Sequence, residues 1–296
     1  MSKIWFITGT SSGFGRLWAE AALERGDRVA ATARDTTKLK DLVERFGESV
    51  LPLELDVTDR EGVFGAVEHA VQRFGRLDVV VNNAGYGHFG MVEELTEREL
   101  RQQMETNFFG AVWVTQAALP FLRRQGGGHL LQVTSEGGVR AYPGIGAYHA
   151  SKWALEGLSE ALAQEVEGFG IRVTCVEPGP YATDWLDRGS RRSAERADYD
   201  EARAATAPEF EVGDPDATKP AILELVDAAD PPRRLILGKL FPVIEALYEE
   251  RLQTWRDWQP VSVKAFGAKA AAPTAVAAQL PAGAGETGIS GRRRPR

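Results

Sequence analysis

Residues 4–26 read I-W-F-I-T-G-T-S-S-G-F-G-R-L-W-A-E-A-A-L-E-R-G. Residues 4–8 are apolar and stop at Gly9, the pattern of a strand buried on both faces of a parallel sheet. A glycine-rich loop follows, and residues 17–26 carry a helical pattern that a glycine closes. Strand, glycine loop and helix together form the arrangement that cradles a phosphate. Gly9 permits the tight turn, Gly13 lets backbone N–H groups approach a pyrophosphate, and Gly15 lets the helix pack close to the strand. The spacing is G-x-x-x-G-x-G. Residues 9–13 also satisfy G-x-S-x-G, the nucleophile elbow of serine hydrolases. Those enzymes draw half of their oxyanion hole from an earlier loop, and only eight residues precede Gly9. A hydrolase is therefore not expected.

Further along the chain, apolar runs at residues 28–34, 50–57, 77–84, 129–133, 171–176 and 234–237 read as strands. Helical patterns separate them at 37–46, 60–74 and 95–124, the last with Asn107 near its middle and Pro120 near its end. The alternation predicts an α/β fold: a Rossmann-type, doubly wound parallel sheet of about seven strands flanked by helices. With 296 residues, 43% of them hydrophobic, the chain can bury one large core. We expect one domain over residues 1–265. Residues 181–212 are dense in charge and sparse in apolar side chains apart from Tyr181, Trp185, Leu186, Tyr199 and Phe210. They read as a mobile lid over the strand ends. A closing helix is expected at 240–258. Residues 266–296 are rich in Ala, Gly and Pro, end R-R-R-P-R, and read as a disordered tail.

The formal net charge is −7, which argues against a nucleic-acid partner, since such binding rests on Lys and Arg. The single cysteine, Cys175, excludes an internal disulfide and a thiolate cluster. Histidines at 69, 88, 129 and 149 offer no ligand pair, so no metal is expected. Neither a signal peptide nor a bilayer-length apolar run is apparent, and the expectation is a cytoplasmic protein without a membrane partner.

Residues 135–152, S-E-G-G-V-R-A-Y-P-G-I-G-A-Y-H-A-S-K, carry the chemistry. On a helix Tyr148 and Lys152 share one face. A fixed ammonium favours the phenolate, which yields an acid/base that works near neutral pH. Moving a tyrosine from near 10 to about 7 needs roughly 4 kcal/mol. One unit charge at about 4 Å in a medium of dielectric ~20 supplies an amount of that order, and burial opposes it. Ser135 closes an apolar strand, where an open α/β sheet presents its reactive groups. His149 is the next residue on the helix and points away from the Tyr148–Lys152 face.

Taken in order, T-G-T-S-S-G-F-G from Thr8, L-D-V from Leu55, N-N-A-G from Asn82, Asn107, Ser135, Y-H-A-S-K from Tyr148 and P-G-P-Y-A-T from Pro178 resemble the short-chain dehydrogenase/reductase family, in its single-domain branch. The resemblance covers residues 1–265. It implies that Gly9, Ser11, Gly13, Phe14 and Gly15 surround cofactor phosphates, that Asp56 and Val57 face the adenine, and that Asn83, Ala84 and Gly85 line the cofactor trough. Pro178, Gly179 and Thr183 would bracket the nicotinamide. Ser135 would hydrogen-bond the substrate oxygen, and Tyr148 would exchange its proton. Lys152 would hold the ribose and, with the positive ring of the oxidised cofactor, tune Tyr148. Asn107 would hold a water in a proton relay. Asn82 reads as structural, and Gln132 stands where the family often has asparagine.

NAD-preferring members carry an acid at the end of the second strand, where this chain has Ala33 followed by Arg34. A guanidinium suits a 2′-phosphate, which points to NADP(H). Asp35, and a serine rather than a base at Ser12, leave NAD(H) open. Tyr86, Phe89, Val139, Tyr142, Tyr181, Trp185 and Leu186 suggest an apolar ketone or secondary alcohol as the small-molecule substrate, and His88 reads as an exposed loop histidine. The family habit implies a homodimer or homotetramer. The alternatives are a catalytically idle dinucleotide-sensing protein and a 3-oxoacyl-thioester reductase. The intact Asn107, Ser135, Tyr148 and Lys152 set argues against the sensor.

Overall fold

The computed structural model describes residues 2–185, 189–205 and 211–267. Leu186, Phe210 and residues 268–296 of the expected tail lie outside the described residues. The chain divides into two compact units, Met1–Ala246 and Leu247–Arg296.

In the first unit, β1 (Ile4–Ile7), β2 (Arg28–Ala33), β3 (Val50–Glu54), β4 (Val79–Asn82), β6 (Gly128–Val133), β7 (Ile171–Pro178) and β9 (Arg234–Leu237) form one sheet in the order β3-β2-β1-β4-β6-β7-β9. Every neighbouring pair is parallel. The winding reverses between β1 and β4, which opens a crevice at their carboxyl ends. Side-chain alternation along β1 explains the two-sided burial. Ile4 and Phe6 pack with α3 (Arg60–Phe74), α5 (Gly110–Gln125) and α6 (Gly146–Val166). Trp5 and Ile7 pack on the other face with α1 (Gly13–Glu24), α2 (Lys40–Phe46) and α8 (Thr218–Asp227).

Several boundaries differ from expectation for local reasons. β3 stops at Glu54 because Asp56 starts a turn, its carboxylate accepting from Thr58 N–H at 2.9 Å. The sequence pattern did not predict α8. Its Pro220 lies in the first turn, where a helix tolerates proline. The helical region at 95–124 is α4 (Glu97–Met104) and α5 joined by a π-helical turn, Glu105–Phe109. α9 runs Phe241–Phe266, beyond the expected end at 258 and through Pro260. The described residues of the second unit continue this helix to Phe266 and end at Gly267.

Where it is described, the expected loose excursion at 181–212 carries regular structure. β8 (Ser190–Arg192) pairs in parallel with β5 (Gly87–Phe89), and α7 spans Asp200–Ala205. Arg203 donates to both oxygens of the buried Glu94 carboxylate at 3.1 and 2.9 Å, and the Arg196 and Met91 N–H groups donate to it as well. Chiefly through Arg203, these bonds hold Glu94 down to about 2. Among the described residues no helix is long and apolar enough to cross a membrane.

Candidate active site

The crevice between β1 and β4 is made largely of main chain. Gly9 and Gly13 adopt φ of 70° and 58°, which glycine reaches without strain. A Cβ on Gly13 would project into open space, whereas one on Gly15 would lie 2.4 Å from Asn83 Nδ2 and 2.5 Å from the Gly9 carbonyl oxygen. The close approach expected at Gly15 is therefore to the turn itself. Thr8, which the sequence reading passed over, joins the two strands. Its hydroxyl accepts from the Asn83 and Ala84 N–H groups at 2.9 Å each and donates to Val81 at 3.2 Å. Asn83 Nδ2 donates back to the carbonyl of Thr8 at 2.8 Å. Ser11 is half-buried beside this loop.

At the far edge of the crevice, Arg34 is exposed and has no ion-pair partner among the described residues. Asp35 is committed elsewhere. Its carboxylate accepts from Thr37 N–H at 3.0 Å and Thr37 Oγ1 at 2.6 Å, and those bonds hold it below the ordinary carboxylate range. The Asp56 carboxylate is likewise spent on its own turn. Val57 is buried under α5, where a Cβ on Gly110 would approach it to 2.7 Å.

α6 carries Tyr148 and Lys152 one turn apart, with the Lys152 ammonium 5.7 Å from the centre of the Tyr148 ring. Lys152 Nζ donates to the Val133 carbonyl at 2.7 Å, at the end of β6. That leaves two of its three protons for other acceptors. Burial lowers Lys152 to about 8, against the opposing pull of Glu156. Ser135 follows β6, and its Oγ accepts from Gly137 N–H at 3.0 Å. Burial raises the Tyr148 phenol above its ordinary value and outweighs the hydrogen bond with Ser135 that lowers it. Burial thus opposes ionisation of the phenol more than the Ser135 bond favours it, as the sequence implies, while the ammonium donates to the Val133 carbonyl.

Asn107 lies on the inner side of the π turn, 1% exposed. Its Oδ1 accepts from Tyr86 N–H at 3.0 Å, while Nδ2 donates to the Tyr86 carbonyl at 2.9 Å and to Ser151 Oγ at 3.1 Å. The amide pins the loop after β4 to α6. Gly85 lies between them, since a Cβ there would be 3.1 Å from Asn107 Oδ1 and 3.6 Å from Lys152 Nζ. Asn82, read as structural, donates to Ala111, Thr115 and Gln132, and Gln132 also donates to Thr115. The glutamine thus bridges β4, β6 and α5.

On the other side of Tyr148, Trp185 meets its ring edge-on at 5.2 Å and Phe89 at 6.0 Å. Gly87 makes room for the indole, for a Cβ there would approach it to 2.5 Å. Val139 is buried, and Tyr142 donates its hydroxyl to Glu136 at 3.1 Å. The Tyr86 hydroxyl is buried without a hydrogen-bond partner, and Arg191 covers the ring. Tyr181 goes elsewhere: it packs edge-on against Phe14 at 5.3 Å, on the glycine-loop side. His88, expected to be exposed, is 2% exposed. The strand pairing of β5 with β8 covers it, and Nε2 lies 2.9 Å from Ser193 Oγ. Pro178 is buried, with its carbonyl 3.4 Å from Ser135 Oγ. Gly179 donates to the Leu237 carbonyl at 2.9 Å, and Thr183 Oγ1 accepts from Trp185 N–H at 3.4 Å. No group of three potential metal-binding side chains occurs among the described residues.

Known proteins resemble this chain in sequence and fold. Oxidoreductase BOA17 of Botryotinia fuckeliana is 44% identical over 245 residues, covering 80% of this chain and 89% of that protein. A 3-ketodihydrosphingosine reductase of Bacteroides thetaiotaomicron is 37% identical, covering 87% and 93%. Among solved structures, a short-chain dehydrogenase from Streptomyces avermitilis superposes with a TM-score of 0.84 at 39% identity, over 90% of this chain and 99% of its own. An alcohol dehydrogenase from Thermococcus sibiricus, complexed with 5-hydroxy-NADP, gives 0.68 at 29% identity over 80% and 96%. A 3-ketoacyl-(acyl-carrier-protein) reductase from Brucella melitensis, complexed with NADH, gives 0.69 at 26% over 79% and 96%. The family described as short chain dehydrogenase matches residues 3–193, which hold the glycine turn, Asn107, Ser135, Tyr148 and Lys152. The chain belongs to that family of oxidoreductases.

Proposed function

We propose that the protein interconverts a largely apolar ketone and its secondary alcohol, with NADP(H) as the preferred cofactor. The observation that carries this is the convergence of the Ser135 hydroxyl, the Tyr148 phenol and the Lys152 ammonium beside the glycine turn. The residues fit a dinucleotide. The turn opens where a Cβ of Gly13 would project, and Lys152 keeps free protons near Gly85. Gly9, Ser11, Gly13, Phe14 and Gly15 would hold the phosphates, and Asn83, Ala84, Gly85, Pro178, Gly179 and Thr183 the remainder. When bound, the nicotinamide supplies or accepts the hydride.

The chain's own side chains then manage the oxygen. In reduction, Tyr148 gives its proton to the carbonyl oxygen as negative charge builds there, and Ser135 donates a hydrogen bond to the same atom. In oxidation Tyr148 takes the alcohol proton. Burial opposes its ionisation, so Lys152 needs the positive ring of the oxidised cofactor beside it to favour the phenolate. Asn107 holds the Tyr86 loop and serves a proton relay to solvent. Arg34, free where Asp35 is committed to Thr37, supports the 2′-phosphate preference. Trp185, edge-on to Tyr148 and packed against Phe89, supports an apolar substrate, with 181–212 acting as its lid on a catalytic domain of residues 1–265. The family habit supports a cytoplasmic homodimer or homotetramer.

The test is a panel of ketones and alcohols, with 3-ketodihydrosphingosine and a 3-oxoacyl thioester among them, followed at the nicotinamide absorbance. Tyr148→Phe should cut turnover of the best substrate by about 10²–10⁴-fold while cofactor affinity and Tm stay constant. In the oxidative direction the wild-type rate should rise with pH as the phenolate forms. Undiminished turnover in the variant would remove Tyr148 from the mechanism. Cofactor binding with no turnover across the panel would favour a sensor.

A further inference from the structure

His149 follows the proposed acid/base, and the chemistry above does not use it. Its side chain is 3% exposed, with both ring nitrogens engaged. Nδ1 lies 2.8 Å from the Gly137 carbonyl oxygen, which only accepts, so Nδ1 carries the proton. Nε2 accepts from Tyr142 N–H at 3.2 Å and so presents its lone pair. The Tyr142 ring meets the imidazole edge-on at 4.5 Å. Gly137, held through its carbonyl, gives its N–H to Ser135 Oγ at 3.0 Å. The loop comes down close upon the ring: a Cβ on Gly137 would lie 2.8 Å from Nδ1.

We infer that His149, in its neutral Nδ1–H form, is a positioning residue that clamps the 135–142 loop at Gly137 and Tyr142 and thereby sets the Ser135 hydroxyl against Tyr148. The inference rests on the catalytic reading of Ser135. A doubly protonated ring would turn Nε2 into a donor facing the Tyr142 donor, and the loop would lose one anchor. The charged and titratable neighbours are Glu136 and Arg140, which pair with each other on the loop, together with Tyr142 and Tyr148. Glu136 favours the charged ring and Arg140 disfavours it, and burial, the largest effect, keeps the ring neutral. The bonds to His149 therefore stabilise the fold fully above the free histidine value of about 6.5, and that contribution is lost as pH falls below it.

A double-mutant cycle separates this role from general support. His149→Phe keeps the ring volume and removes both bonds. It should lower kcat by about 10–100-fold, the scale of a misplaced catalytic group, leave cofactor Kd unchanged, and cost nothing further in a Ser135→Ala background. His149→Asn, whose amide can still donate to Gly137, should restore most of the loss. Nitrogen-15 spectra of the wild-type imidazole should show the proton on Nδ1 at neutral pH. Equal losses in both backgrounds, or a proton on Nε2, would overturn the inference while leaving the catalytic reading intact. If Ser135→Ala turned over normally, that reading would fall and take this inference with it. Should the Phe variant not fold, the imidazole spectrum and the Asn variant decide: an Asn variant as impaired as Ser135→Ala would refute the clamp.

Discussion

The side of the crevice next to Gly9 is built from main chain, and the side next to Trp185 is built from side chains. At the first, carbonyls and N–H groups of two strands are tied together through Thr8 and Asn83, and the close contacts are with main chain or with the Asn83 amide that two carbonyls hold. At the second, the rings of Phe89, Trp185 and Tyr148, from a strand, a turn and a helix, lean on one another. A fixed ligand common to a whole family suits the first kind of surface, and a variable one suits the second. The two sides should therefore respond differently to the same chemical change.

Glycine-to-alanine substitution puts this to the test. In Gly15→Ala the new methyl meets the Gly9 carbonyl oxygen at 2.5 Å and Asn83 at 2.4 Å. The turn has to shift, at a cost on the order of 1–3 kcal/mol, and Tm and dinucleotide affinity should fall together. Titration of the cofactor alongside thermal melting reads both, and an unchanged Kd would show that the turn is more pliable than its contacts imply. Removing the exposed guanidinium of Arg34 should have the next largest effect. Arg34→Ala should weaken NADPH by about 10–100-fold, the range for a charge-assisted hydrogen bond, with little change for NADH. Equal losses would take Arg34 away from the 2′-phosphate. Gly87→Ala should do least. Its methyl meets the far edge of the Trp185 indole at 2.5 Å, and a ring at the rim can swing aside. KM for bulky ketones should change several-fold, with cofactor Kd untouched. A collapse as deep as that of Gly15→Ala would erase the distinction between the two sides.

The same contrast explains what could be read from the chain beforehand. Gly9, Gly13 and Gly15 announce backbone conformation and close approach directly. A four-residue spacing places Tyr148 above Lys152 on any helix. The parallel, doubly wound sheet follows from the alternation of strand and helix. What sequence could not supply were contacts between distant segments. Thr8 looked like the end of a strand until Asn83 and Ala84 arrived on its hydroxyl. His88 looked exposed because its cover comes from Ser190–Arg192, about a hundred residues away along the chain. Tyr181 sits beside Trp185 in the chain yet turns to Phe14 instead, since neighbouring residues in a tight turn diverge. How deeply the phenol is buried depends on the whole assembled wall, which no local spacing encodes.

The π-helical turn at Glu105–Phe109 carries the reading frame of the site. It amounts to one extra residue in an otherwise continuous helix. Removing that residue would leave an ordinary helix of the same polarity and composition. It would also rotate everything before the deletion by about 100° relative to everything after it. Gln103, now donating to the Tyr86 carbonyl from α4, and Asn107, holding the same carbonyl from the turn, could not both face the loop. A substitution here acts only at its own side chain, whereas a single-codon deletion would misphase one half of the helix against the other. The segment is thus constrained in its length as well as at Asn107.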